Sequence, residues 1–74
     1  MVVIEDGQIK GSFKGFYNMD TFFEFHSGGK WRQKEYKYYY HYAYMPRAKI
    51  VDRNGRYYLE VDGMNDCVEV VRIR

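Results

Sequence analysis

Residues that carry chemistry are scarce in this chain. Among its 74 positions there is one cysteine, Cys67, and there are two histidines, His26 and His41. A single cysteine excludes an intramolecular disulfide, and a lone thiol points to a reducing compartment, so a cytoplasmic protein is expected. No apolar stretch approaches the ~20 residues that cross a bilayer. Met1 to Ile4 meets Glu5 and Asp6 at once, so neither a secretory leader nor a membrane span is expected. His26 and His41 lack any His-x-His or Cys-x-x-Cys spacing. A His26/His41/Cys67 metal site is the one combination available. The plainer reading makes His41 a packed ring and Cys67 a small apolar residue. Ser12 and Ser27 are the only serines, and neither sits in a nucleophile motif. The glycines of "GSFKGF" fall inside a strand pattern with no helix behind them to receive a phosphate. The expectation is a protein that is not an enzyme and takes no cofactor.

What the chain does have is aromatic side chains. Nine Tyr, five Phe and one Trp make up 20% of it. Each can bury about 150–250 Å², worth roughly 25 cal/mol per Å² of apolar area, so a few suffice for the core of one small domain spanning residues 1–74. The formal charge of +2 is small, but it is unevenly spread. Between Lys30 and Arg47 stand Lys30, Arg32, Lys34, Lys37 and Arg47 against Glu35 alone, leaving that segment at +4 and the remainder at −2.

Alternation at period two recurs, and no window sustains a helical period. A first strand is predicted over about residues 8–16, with Asp6-Gly7 as a turn before it and Ile9, Gly11 and Phe13 on one face. Asn18 to Asp20 breaks the pattern. Thr21 to His26 is a second strand with Phe23 and Phe25 on one face. "HSGG" then closes a hairpin, and a three-residue loop would put Trp31 on the same face as Phe23 and Phe25. "AKIVDRNGRYYLEV" is the clearest feature, since Asn54-Gly55 favours a type I′ turn. Counting outward from it sets Asp52 opposite Tyr57, Ile50 opposite Leu59 and Ala48 opposite Val61, with Lys49–Glu60 as a solvent pair. "CVEVVRIR" is the last strand. Val68 and Val70 share one face, Val71 and Ile73 the other, which calls for a bulge near Val70 or burial on both sides.

The stretch "YKYYYHYAY", residues 36–44, holds six tyrosines. An uninterrupted strand from Lys30 to Tyr44 would span roughly 50 Å, too long for so small a domain, so a bend is expected near Glu35–Lys37. If parity survives the bend, Arg32, Lys34, Tyr36, Tyr38, Tyr40, Tyr42 and Tyr44 face outward. Trp31, Gln33, Lys37, Tyr39, His41 and Ala43 then face inward. Any one tyrosine can be structural, its ring packed and its hydroxyl wet. Ile9, Phe13, Phe23, Phe25, Trp31, Ile50, Leu59, Val61, Val68 and Val70 already suffice for a core, however. The surplus rings would form an exposed patch of the kind that marks an interaction site. Aromatics beside cations suit single-stranded RNA or DNA, with Tyr36, Tyr38, Tyr40 and Tyr42 stacking on bases and Arg32, Lys34, Lys37 and Arg47 contacting phosphate. The alternative is a protein partner, or a homodimer using the same aromatic surface.

Two resemblances accompany this reading. "FEFHSGGKWRQ", the tyrosine run and "PRAKI" together resemble a group of small, uncharacterised bacterial β-domains. Their pattern is Phe-x-Leu-x-Asn-Gly-x-x-Trp-x-Gln followed by a Tyr-x-Tyr-x-x-Pro-type stretch. The likeness falls on Phe23, Phe25, Gly28, Trp31, Gln33, Tyr42, Tyr44 and Pro46, within about residues 21–73. Phe25 replaces the usual leucine and Ser27 the usual asparagine. The resemblance implies a bacterial source and a compact β fold, with no activity attached. "RAKIVDRNGRYYLEVDGMNDCVEVVRIR" is similar to the hairpin and closing strand of SH3-like barrels, including Tudor-type domains. No aromatic-cage position can be assigned, so this resemblance implies a fold and no ligand. The expected fold is therefore all-β, a five- or six-stranded antiparallel barrel or strongly bent sheet, SH3-like, with an OB-like barrel as runner-up.

Overall fold

The computed structural model describes residues 2–73. Met1 and Arg74, which open the N-terminal stretch and end the final expected strand, lie outside the described residues. The described chain is all-β and forms eight strands: β1 (Val2–Gln8), β2 (Ser12–Phe16), β3 (Phe22–Glu24), β4 (Lys30–Gln33), β5 (Tyr39–Tyr44), β6 (Arg47–Arg53), β7 (Arg56–Val61) and β8 (Cys67–Arg72). Six make one antiparallel sheet in the order β1-β6-β7-β8-β4-β3, and β2 and β5 make a separate two-stranded ladder. Side chains from both meet in one core built around Trp31, Phe16, Phe25, Ile50, Leu59 and Val68.

The β6–β7 hairpin follows from its turn chemistry. Asn54 and Gly55 both have positive φ, 54° and 86°, the conformation a type I′ turn demands. The pairs Asp52/Tyr57, Ile50/Leu59 and Ala48/Val61 form in the predicted register, and Lys49 Nζ lies 3.9 Å from Glu60. The β3–β4 hairpin closes through residues 26–28, with Gly28 at φ 104°. Phe25 N–H donates to the Gly29 carbonyl at 2.9 Å, and Phe23 pairs with Trp31, so the indole is buried as predicted. In β8 the ladders to β7 and β4 are both regular, which removes the need for a bulge near Val70. Val68 and Val70 enter the core, Val71 is half-buried, and Ile73 is exposed.

The N-terminal expectations need correcting. Asp6-Gly7 is no turn but part of β1, paired with Lys49 and Ala48 of β6. The strand expected over residues 8–16 is broken by a bend at Lys10–Gly11, where Gly11 takes φ 73°. Val2, Val3 and Ile4 hid β1 because they do not alternate, and an extra residue between Val3 and Glu5 shifts its register. A second bulge adds a residue to β5, where Ala43 to Tyr40 spans three steps against two from Phe13 to Gly15, and Phe16 lies in the core beside Phe13. Strict alternation had left Phe16 out. Gly15 is needed there, because at φ 102° a Cβ would collide with the Tyr39 carbonyl oxygen and the His41 backbone nitrogen.

Two links draw the ends of the large sheet toward each other without a continuous ladder. Ile9 bridges Phe25, flanked by Lys10 N–H donating to Glu24 C=O at 2.8 Å and His26 N–H to Gln8 C=O at 2.9 Å. From β1, the Glu5 carboxylate accepts from Trp31 Nε1 at 2.8 Å and from the Ser27 hydroxyl at 2.6 Å. Beyond Lys10 and Glu24 the strands β2 and β3 part.

Candidate functional site: the tyrosine face

The bend between β4 and β5 falls at residues 34–38, where it was expected, and Gln33 builds it. Its side chain is fully buried yet satisfied. Nε2 donates to the carbonyls of Glu35 and Lys37, both at 2.9 Å, while Oε1 accepts from Tyr17 N–H at 3.1 Å. One amide thus fixes the loop and the end of β2 together. In the interior such bonds are costly to lose, about 1–3 kcal/mol for each group left without a partner.

With the loop fixed, the even-numbered tyrosines of the loop and of β5 are exposed. Tyr36, Tyr38, Tyr40, Tyr42 and Tyr44 are each between 55% and 84% exposed. The inward residues Ala43 and His41 are half-buried, the former against the core. Tyr39, expected to face inward, stays partly open to solvent at 37%. Tyr17 was not foreseen as part of this surface. It follows β2, and its ring lies 5.5 Å from that of Tyr38, edge to face. Burial, and then the phenols of Tyr38 and Tyr40, hold its hydroxyl above the usual tyrosine range. No periodicity signals Tyr17, because its place depends on the Gln33 amide across the fold.

The cations of the segment behave differently from its rings. Lys37 Nζ donates to the Cys67 carbonyl at 2.6 Å and to Asp66 at 3.1 Å, and it lies 3.8 Å from Glu35. Lys34 pairs with Glu69 at 3.6 Å, Arg47 with Asp6 at 3.3 Å, and Arg32 donates to the Met19 carbonyl at 3.2 Å. Glu35 itself accepts from Glu69 N–H at 2.8 Å. Lys34, Glu35 and Lys37 therefore tether the loop to β8. The side chains of Lys34 and Arg47 remain about three-fifths exposed, whereas Lys37 is mostly covered. The structure thus leaves the tyrosines exposed and each of the four cations already engaged.

Among the described residues no group of three His, Cys, Asp or Glu side chains is placed to hold a metal ion. His26 is exposed on the β3–β4 loop, and His41 sits over Gly63. Among the described residues no helix is long and apolar enough to cross a membrane. Compared with known proteins, the chain matches no family model, no curated protein and no solved structure.

Proposed function

We propose that this is a non-catalytic binding domain whose contact surface is the tyrosine face, and that its ligand is single-stranded nucleic acid. The observation that carries the reading is the exposure of Tyr40, Tyr42 and Tyr44 on β5 together with Tyr36 and Tyr38 on the preceding loop. Rings exposed along one strand and the loop before it offer stacking positions to the bases of a stretched strand. Each stacked base contributes about 1–3 kcal/mol. Arg32, Lys34 and Arg47 reach phosphate by exchanging their present partners. Lys37 acts as a tether rather than a ligand contact. A cytoplasmic, bacterial setting belongs to the same reading, supported by the lone thiol and by the resemblance to bacterial β-domains.

The ion pairs favour a second reading, a protein interface. A cation that must leave a carboxylate gains little from phosphate, whereas exposed tyrosines with neutralised surroundings are typical of interface hot spots. An amide chemical-shift titration with mixed-sequence single-stranded RNA and DNA separates the two. Shifts on residues 32–47 that weaken with salt, and an affinity that falls about tenfold in Tyr42→Ala, support nucleic acid. No shifts at low salt overturn it. A concentration-dependent mass abolished by Tyr42→Ala would then assign the face to a homodimer.

A further inference from the structure

We infer that a second binding site lies where β2 and β3 part, and that it takes an extended peptide segment bearing carboxylates, added as a strand between the two edges. A cleft of about 550 Å³ opens there. Its floor is the Phe13 and Phe23 rings, 6.1 Å apart, and the exposed side chains of Phe22 and Ile73 stand at its wall.

The backbone directions make this a site for a chain rather than for any apolar molecule. β3 is the last strand of the large sheet and β2 one of the two in the small ladder. Gln33 N–H donates to Thr21 C=O, and Phe25 N–H to Gly29 C=O, so the bonded pairs of the β3–β4 ladder are 21/33, 23/31 and 25/29. Phe22 falls between them, and its N–H and C=O point away from β4 into the cleft. On the other wall, Met45 N–H donates to Gly11 C=O, which makes 11/45 and 13/43 the bonded pairs with β5. The N–H and C=O of Ser12 therefore also point into the cleft. Two unpaired edges facing one gap are the geometry that strand addition uses. Because β2 and β3 run antiparallel, the added strand is antiparallel to one and parallel to the other.

Charge identifies the occupant. Lys10, Lys14 and Lys30 rim the cleft against Glu24 alone. Lys10 lies 3.8 Å from Glu24, while Lys14 and Lys30 make no ion pair among the described residues. A strand alternating apolar and acidic side chains sends the apolar set onto the phenylalanine floor and offers carboxylates to the two lysines.

The test is an amide titration with a capped peptide of about eight residues in which valine and glutamate alternate, about two strand lengths of the observed edge. Expected are shifts confined to β2 and β3, slowed hydrogen exchange at the Ser12 and Phe22 amides, and about tenfold weaker binding in the Lys14→Glu/Lys30→Glu variant, whose exposed substitutions leave the fold intact. A peptide of the same sequence methylated at alternate backbone nitrogens should lose binding. Equal binding of the methylated peptide overturns strand addition, and equal binding of a valine–lysine peptide overturns the charge assignment. Oleate binding the cleft while the valine–glutamate peptide does not would make the site one for amphiphiles, and the proposal would fall. The site shares only Tyr17 with the tyrosine face, and because Lys14→Glu/Lys30→Glu and Tyr42→Ala touch the two separately, either can fail alone.

Discussion

The tyrosine face and the β2–β3 cleft divide rings and charge in opposite ways. On the face, large aromatic side chains stand in water while the neighbouring cations are engaged: Lys34 with Glu69, Lys37 with Asp66, and Arg47 with Asp6. In the cleft the rings form the floor, and Lys14 and Lys30 stand at the rim with no ion pair among the described residues. The +4 carried by residues 30–47 is therefore a poor guide to available charge, because the acids that offset it come from β1, β8 and the loop before β8. The available cations are instead Lys14, which lies outside that segment, and Lys30, the first residue of it. Binding at the face should lean on stacking and respond modestly to salt. Binding at the cleft should respond steeply to charge reversal.

Gly15 serves both regions, so its substitution should have the largest effect. It lines the cleft and belongs to the ladder that carries the tyrosines. Gly15→Ala sets a Cβ against the Tyr39 carbonyl and the His41 nitrogen at a φ that side chains rarely adopt. A loss of roughly 3 kcal/mol is expected, a large share of the stability of a domain this size. A urea titration measures it, and an unchanged midpoint would mean that β2 and β5 do not pair in this register. Gln33→Leu should separate the regions. It strands the Glu35 and Lys37 carbonyls and the Tyr17 N–H, costing about 2 kcal/mol. Hydrogen exchange should quicken across residues 34–38 and at Tyr17, while the amides of β6 and β7 keep their protection. Uniform quickening would show that the loop is not a separable unit.

These two residues also mark how far the sequence can be read. The β6–β7 hairpin was legible because Asn54-Gly55 fixes a turn, the turn fixes a register, and alternation agrees with both. The burial of Trp31 followed from parity counted through a short loop, and Tyr36, Tyr38, Tyr40, Tyr42 and Tyr44 are exposed as expected although Tyr39, expected inward, is exposed as well. Parity fails where a bulge adds a residue. The one in β1 hid a strand, and alternation along β2 breaks at Gly15, at φ 102°, leaving Phe16 out of the expected core. The partners of Lys34, Lys37 and Arg47 were illegible for another reason. They lie about 30 to 40 residues away in the chain, and only the folded topology brings them close. The cleft was illegible too, since it is an absence of pairing between two strands that are neighbours in sequence.

The smallest effect expected is the pH response of the Lys37–Asp66 tether, and it sharpens the contrast in charge. The Cys67 N–H, and then the Lys37 ammonium, hold the Asp66 carboxyl below the usual aspartate range. A carboxyl lowered by folding contributes stability above its unfolded value near 3.9 and loses it as pH falls through the folded value. For Lys37, burial pulls the ammonium down, but the Asp66 hydrogen bond and the charges of Glu35 and Asp66 outweigh it and leave the group above the usual lysine range. That contribution is complete below about pH 10.4 and fades as pH rises through the folded value. The tether is thus intact across the neutral range and loosens only in acid or strong alkali. Asp66 is more than two-fifths exposed, so solvent screening keeps the pair's worth below about 1 kcal/mol. Urea midpoints at about pH 3 and about pH 6 should differ less in Asp66→Asn than in the wild type, because the variant has no carboxylate to protonate. Lys14→Met, which removes a cation that has no ion pair among the described residues, should leave that difference as it is in the wild type. If it narrows the difference as much as Asp66→Asn does, a carboxylate does reach Lys14 in solution, and the division between engaged and available cations disappears.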